Sequence, residues 1–164
     1  ENLRNSDGLT ICYLGNGEFG KLVLRDKRKQ EGVDEKLIAQ AAKNLRPRVA
    51  AQSLKWIAFV PSRNNERPFV RNVAEAIGKA LDLPVHAVLA KTRDTLPQKD
   101  QDNSFRQFAN VNGAFEIVAS IPSGNLLLVD DIVDSGWTLT VVGSLLRAHG
   151  SGAVVPFTLA RQKG

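Results

Sequence analysis

The sequence predicts an α/β protein built on a Rossmann-like parallel sheet. Two apolar runs, 56–60 and 126–129, contain no polar residue, as a strand covered on both faces requires. The segments that follow these runs carry apolar residues at helical spacing, and strands that alternate with helices pack as a parallel sheet with right-handed crossovers. The chain has 164 residues, 43% of them hydrophobic, which is enough to bury one core. We therefore expect a single domain.

Residues 1–50 are predicted to form an N-terminal β-hairpin and a basic helix of this domain. The apolar runs 10–14 and 21–24 are separated by a spacer, 15–20, that is rich in glycine, and this pattern is typical of a hairpin. Asp34 is a suitable N-cap for the helix that follows. The apolar residues of this helix have helical spacing as far as Pro47, where we expect the helix to end.

Residues 51–164 are predicted to form the core. We expect strands at 56–60, 85–90, 114–118, 126–129 and 153–160, and helices that begin near Val70 and at Trp137. The polar segment 91–112 is too long for an ordinary connector, which indicates a lid. The expected order of the main strands in the sheet is 85, 56, 126 and 153. The ligand cleft should open between the second and third of these strands.

Composition limits the classes of function. The single cysteine and two histidines exclude a disulfide framework and leave oxygen atoms as the expected ligands of any metal. No apolar run approaches the roughly 20 residues that span a bilayer, and the start of the chain lacks a secretion signal. We therefore expect a cytoplasmic domain without a membrane partner. The absence of methionine indicates a segment of a longer protein.

The excess positive charge lies in one part of the chain. The formal net charge is +5, and the window 21–48 contains nine basic and four acidic residues. Concentrated basic charge attracts polyanions, so nucleic acid or a phosphorylated ligand is a candidate partner. The alternative is that the window forms only a solvated basic surface.

The segment 129–139 carries the pattern that indicates chemistry. Asp130 and Asp131 come at the carboxyl end of a buried strand, where open α/β sheets bind their ligands. Ser135, Gly136 and Thr138 open the next helix, whose backbone N–H groups and dipole favour a phosphate. One end of this segment is therefore suited to phosphate and the other to hydroxyl groups or a cation. The pattern is neither a Walker A loop nor a GxGxxG motif.

Residues 126–139 resemble the signature with which type I phosphoribosyltransferases bind 5-phosphoribosyl-1-pyrophosphate (PRPP). In that signature, aliphatic residues precede two acidic residues, and Thr or Ser, Gly, any residue and Thr follow after three variable positions. Further segments resemble the ComF-like branch of the family: 60–63, 67–69, 91–95, 97–98, 110–111, 113–115 and 158–161. The form of residues 134–138 is most similar to domains that follow the helicase core in some bacterial RecQ-type DNA helicases.

The resemblance implies a type I phosphoribosyltransferase fold and a role for each matching residue. Asp130 and Asp131 would bind the ribose hydroxyls, directly or as ligands of Mg²⁺, and Asp134 would accept a proton from the nucleophile as the catalytic residue. The other implied groups are the 5′-phosphate loop Asp134, Ser135, Gly136, Trp137 and Thr138 and the pyrophosphate-binding residues Ser62, Arg63, Lys91 and Arg93. An active protein of this kind is a pentosyltransferase.

Several alternatives stay open at this point. Asp134 is also suited to cap the helix that follows it, and the four pyrophosphate candidates are also ordinary surface residues. Trp137 replaces the small residue common in this loop, which would place an indole beside the phosphate pocket, either stacking on a base or blocking one. The domain as a whole is alternatively a non-catalytic accessory module that contacts DNA or a helicase core through the basic window.

Overall fold

The computed structural model describes residues 3–63, 66–96 and 103–163. Its elements are β1 (Leu9–Tyr13), α1 (Gly17–Lys29), α2 (Glu35–Ala51), β2 (Leu54–Phe59), α3 (Phe69–Leu81), β3 (Leu89–Lys91), α4 (Ser104–Val111), β4 (Phe115–Ile117), β5 (Asn125–Val133), α5 (Trp137–Ala148) and β6 (Val154–Arg161). Among the helices of the described residues, none has both the length and the hydropathy that crossing a bilayer demands.

A four-stranded parallel sheet with the order β1-β6-β5-β2 forms the centre of the fold. Beyond β2, Val85 makes a single parallel bridge to Ile57 where a full strand was predicted. The predicted α/β fold and strand order are therefore confirmed, with β1 added at the other edge. The chain leaves β2 toward Val85 and returns on the opposite side of β2 as β5. The strand order thus reverses between β2 and β5, which is the position where such sheets bind ligands.

Both faces of the sheet are covered, which explains the apolar runs in β2 and β5. Ile57 and Leu127 face a core shared with α2 and α3, whereas Trp56 and Leu128 face a second core shared with α5 and the antiparallel pair β3 and β4. Successive strand residues point to opposite faces, so a strand buried on both sides has no polar position. These two cores fix the carboxyl ends of β2 and β5 beside each other.

The predicted N-terminal β-hairpin is wrong. β1 pairs in parallel with β6, and residues 21–24 belong to α1. The apolar run 21–24 coincides with a helical stripe: Phe19 and Leu22 pack partly buried against the core, and Val23 is fully buried. Gly15 and Gly17, both with positive φ, form the turn that releases the chain from β1 into this helix. The first 50 residues therefore supply a strand of the central sheet and two helices.

Helix α1 lies across the carboxyl end of the sheet. It contacts β1 and β6, and Lys27 in its last turn reaches Asp131 at the end of β5. The helix starts very close to β1, because a Cβ atom on Gly20 would lie 2.3 Å from the carbonyl oxygen of Tyr13. Only glycine fits there without displacing backbone. α1 therefore forms a wall beside the strand ends that carry the predicted site.

The polar segment 91–112 contains a helix where a lid was predicted. Helix α4 packs against α5, and Asn110 exchanges two hydrogen bonds with the backbone of Leu96, at 2.9 and 2.7 Å. Pro97 and Gln98, which contribute to the ComF-like resemblance, lie outside the described residues. Helix α4 is thus held against α5, and its C-terminal part is bonded to the residues that follow β3.

We expect Asn103→Ala to destabilise α4 locally. The Asn103 side-chain oxygen accepts the N–H of Arg106 at 3.0 Å and so caps a helix of only eight residues. Losing an N-cap costs about 1 kcal/mol, which makes local opening roughly fivefold more frequent. Hydrogen exchange of the amides in 104–111 measures the change, and Asn103→Asp, which keeps a capping oxygen, should leave it small. Equal exchange in all three proteins would contradict the assigned cap.

Candidate functional site

Two adjoining cavities lie over the carboxyl ends of the central strands. The first, about 210 Å³, is lined by the end of β5 and the turn into α5, and the second, about 190 Å³, by the loop after β2 and by β3. Lys27, Asp130 and Thr138 line both cavities and therefore stand where they meet. The predicted cleft between β2 and β5 is thus present, and it has two lobes.

The first lobe is built by the predicted phosphate loop. Asp134, Ser135, Gly136 and Thr138 all line it. Gly136 is the N-cap of α5 with φ of 85°, a left-handed conformation that glycine adopts without strain. The backbone N–H of Trp137 makes a long hydrogen bond to Ser135 Oγ, at 3.4 Å, whereas the amides that follow in the first turn of α5 have no partner within the helix and are available to an anion in this lobe. Asp134 is exposed and does not cap α5, which removes the structural alternative for this residue.

The acidic pair has an asymmetric arrangement. Asp130 faces both lobes, whereas Asp131 lines neither of them. One carboxylate oxygen of Asp131 accepts a hydrogen bond from the N–H of Ile132, at 2.7 Å. The other oxygen forms an ion pair with the Lys27 ammonium, at 2.8 Å. The neighbouring N–H of Asp131 donates to Asp130 at 2.8 Å. Asp130 is therefore the carboxyl group of the pair that faces the cleft, and Asp131 is paired with Lys27.

Asp130 and Lys91, which both line the second lobe, have shifted pKa values. Burial raises the pKa of Asp130 well above its ordinary value, and the negative charge of Asp131 raises it further. Burial lowers the pKa of the half-buried Lys91, against the opposing influence of Asp130. Both shifts have the same origin, since each group is partly removed from water without a direct ion-pair partner. Perturbed groups in a cleft are typical of binding sites.

The four pyrophosphate candidates separate into two pairs. Ser62 and Lys91 line the second lobe, and Lys91 donates to Thr95 at 3.1 Å. Arg63 instead forms an exposed ion pair with Asp94 at 2.8 Å, and Arg93 donates to the backbone carbonyls at the end of α4. The structure therefore brings Ser62 and Lys91 to the cleft and places Arg63 and Arg93 on the contacts that attach the segment around α4.

The sequence analysis missed four polar residues of the second lobe: Lys27, Gln30, Arg67 and Thr95. The backbone N–H of Arg67 donates to Ser62 Oγ, which in turn donates to the carbonyl of Arg67, both at 3.2 Å. Arg67 belongs to the segment 67–69 that was compared with the ComF-like branch, which was a usable signal. No comparable signal existed for Lys27 and Gln30, because the sequence analysis predicted a hairpin where the structure has α1 and so did not place these residues near the site.

Trp137 is placed differently from expectation. Its ring meets the edge of Phe108 on α4, with 5.4 Å between ring centroids and 64° between ring planes. Trp137 is absent from the lining of both lobes, although its backbone N–H belongs to the phosphate turn. The indole therefore attaches α4 to the start of α5.

The residues present do not suit direct binding of Mg²⁺ by the acidic pair. Both oxygens of Asp131 are already engaged, and one oxygen of Asp130 accepts a backbone N–H. In the described part of the chain, no group of three or more His, Cys, Asp or Glu side chains is arranged to hold a metal ion. The ion pair with Lys27 thus competes with a metal ion for Asp131, and the role of Asp130 and Asp131 as metal ligands stays a prediction.

The basic window is partly neutralised by the fold. Arg25 pairs with Asp26 and Asp34, Lys36 pairs with Glu18, and Lys27 pairs with Asp131. Arg48 donates to the backbone carbonyl of Asp7. Almost half of the nine basic side chains are therefore engaged within the domain. Contact of this surface with DNA or a helicase core stays a prediction.

Comparison with known proteins supports the fold. No family model matches the chain, and no curated protein does so significantly. Among solved structures, one of an adenine phosphoribosyltransferase is similar over 79% of this chain and 72% of its own, with 18% identity and a TM-score of 0.51. The adenine phosphoribosyltransferase of Saccharomyces cerevisiae, complexed with an imino-altritol bisphosphate and adenine, is similar over 79% of this chain and 70% of its own. Its identity is also 18% and its TM-score 0.51. The chain therefore has the type I phosphoribosyltransferase fold.

Proposed function

We propose that this domain binds PRPP or a related ribose-phosphate nucleotide in the two-lobed cleft. The observation that carries the proposal is the meeting of both lobes at Asp130, with a phosphate turn on one side and Lys91 on the other. A ligand with a phosphate at each end of a sugar would match this order of groups. The solved relatives support the choice of ligand through their fold alone, since a fold by itself does not define an activity.

The charge distribution supports the same orientation of the ligand. The 5′-phosphate would lie in the first lobe on the amides that start α5, where the helix dipole favours an anion. The ribose hydroxyls would donate to Asp130, and the diphosphate would lie in the second lobe beside Lys91 and Arg67. In this orientation each anionic group of the ligand meets a hydrogen-bond donor or a cation.

An active domain would be a pentosyltransferase. The bond between C1 of the ribose and the diphosphate breaks, and the diphosphate leaves with the bonding electrons. A nitrogen nucleophile forms the new bond to C1 and then releases one proton. Asp134, exposed at the first lobe, is the proposed acceptor of that proton. The cationic side chains of the second lobe stabilise the charge that develops on the diphosphate.

The wider context of the proposal comes from the sequence motifs. The resemblance to ComF-like proteins and to domains of RecQ-type helicases suggests that the domain belongs to a longer, cytoplasmic DNA-processing polypeptide. Neither association depends on the geometry of the cleft. The binding of PRPP can therefore be tested on the chain as it stands, separately from that context.

Calorimetric titration with PRPP tests the proposed function. We expect saturable binding by the wild type and a loss of at least about tenfold in affinity for the double variant Asp130→Asn, Asp131→Asn, because hydrogen bonds to charged groups contribute about 1.5–3 kcal/mol. Asp82→Asn, which lines neither lobe, is the control that removes the same kind of charge. Equal binding by the wild type and the double variant would show that the ligand lies elsewhere.

A further inference from the structure

Lys27 is the one cation that reaches both lobes of the cleft among the described residues. Its ammonium lies 2.8 Å from Asp131, and the two side chains retain only 35% and 14% of their exposure. An exposed ion pair is worth little, but this pair is partly shielded, and its lysine lines both lobes and so places a charge beside the proposed ligand. Lys27 is therefore placed where it could contact a ligand in either lobe.

The fold explains how a residue so early in the chain arrives there. The turn after β1 directs α1 across the end of β6, and Lys27 lies in the last turn of this helix. Its ammonium thereby reaches the end of β5. Gln30, the left-handed residue that ends α1, accepts the N–H of Phe69 at 3.1 Å and fixes the end of α1 to the start of α3. Lys27 is thus anchored from both sides of the cleft.

We infer that Lys27, oriented by Asp131, is a ligand-binding residue that takes the place of a divalent cation at the centre of the cleft. This inference rests on the proposed function. Lys27 and Asp130 both line the junction of the two lobes, where anionic groups of a ribose phosphate would converge. Asp131, already paired, acts through Lys27 as a positioning residue and leaves the ligand contact to Asp130.

The chemistry of the groups supports this division of roles. A lysine ammonium offers three donors, so one N–H can remain on Asp131 while the others face a phosphate or a sugar oxygen. Mg²⁺ prefers six oxygen ligands, and this cleft keeps both oxygens of Asp131 engaged. The protein therefore supplies its own positive charge at the position where the metal would otherwise neutralise the ligand.

The test compares PRPP binding by calorimetry in excess EDTA and in MgCl₂. We expect the wild type to bind PRPP in EDTA with an affinity close to that in Mg²⁺. Lys27→Met should weaken binding in EDTA by roughly tenfold or more, the effect of losing one charged hydrogen bond. Lys29→Met is the matched control, because Lys29 is exposed on the same helix and lines neither lobe.

A double-mutant cycle guards against misfolding of the single variant. Lys27→Met leaves Asp131 shielded and without its partner, whereas the double variant Lys27→Met, Asp131→Asn removes both charges. If Asp131 acts only through Lys27, the double variant binds PRPP no more weakly than Lys27→Met alone. Additive losses would contradict the positioning role of Asp131.

The outcomes separate this inference from the proposed function. If the wild type binds PRPP only with Mg²⁺, and Lys27→Met binds equally well, the inference is wrong and the proposed function stands. If no protein binds PRPP in either buffer, both are wrong. A second readout needs no PRPP: Mn²⁺ monitored by electron paramagnetic resonance should bind more tightly to Lys27→Met than to the wild type, and equal binding would count against the inference.

Discussion

Replacing Arg67 with Gln is expected to weaken PRPP binding by about tenfold or more, while the same change at Arg63 has little effect. Arg67 lines the second lobe, and its backbone is fixed by two hydrogen bonds with Ser62. A guanidinium that contacts a diphosphate makes charged hydrogen bonds worth about 1.5–3 kcal/mol. Arg63 forms an exposed ion pair with Asp94 outside the lining of this lobe.

The two arginine variants control for each other. Both remove one positive charge from the same loop, so a general electrostatic effect on the anionic ligand would weaken both equally. An effect confined to Arg67 requires direct contact with the ligand. Calorimetric titration of the two variants with PRPP and with inorganic pyrophosphate measures the difference. A larger loss for Arg63 would return the pyrophosphate site to the position expected from the sequence resemblance.

The sheet could be predicted because a strand that is buried on both faces has a continuous apolar sequence. Each apolar run in β2 and β5 coincides with a strand covered by helices, and the acidic pair follows β5 directly. The position of the turn proposed to bind phosphate could also be predicted, since the left-handed conformation before α5 favours a glycine such as Gly136. These features depend on local sequence and were therefore found.

Other parts of the site depend on contacts between distant segments. Three consecutive apolar residues, 22–24, after a glycine-rich spacer satisfy the pattern of a strand and that of one turn of a helix equally well. The choice of helix follows from tertiary packing of Val23 and from the close approach of Gly20 to β1. Since α1 was misassigned, the pairing of Lys27 with Asp131 could not be anticipated. The same holds for Arg63, whose partner is 31 residues away.

Asp130→Asn is expected to make the domain more stable near neutral pH and to weaken PRPP binding by about tenfold or more. Burial and the charge of Asp131 raise the pKa of Asp130 in the folded state above that in the unfolded chain. At a pH between these two values the unfolded state has lost a proton that the folded state keeps. The carboxyl group then lowers the free energy of unfolding as the pH rises. An amide carries no charge and avoids this cost, while it loses the charged acceptor proposed for the ribose hydroxyls.

The stability difference between Asp130→Asn and the wild type should depend on pH. In acid, below the ordinary pKa of a carboxyl group, Asp130 is protonated in both states, so the advantage of the variant should disappear there. The difference in melting temperature between variant and wild type should therefore grow from acid toward neutral pH, with about 2–4 °C for each 1 kcal/mol in a domain of this size. Lys27 and Lys91 oppose the effect from either side of the cleft, and the prediction applies to the net result.

Asp134→Asn, at an exposed position of the same loop, should leave the melting temperature unchanged. A variant at Asp130 less stable than the wild type at neutral pH would mean that the folded protein favours the charged form, and that this carboxylate serves the fold as well as the ligand.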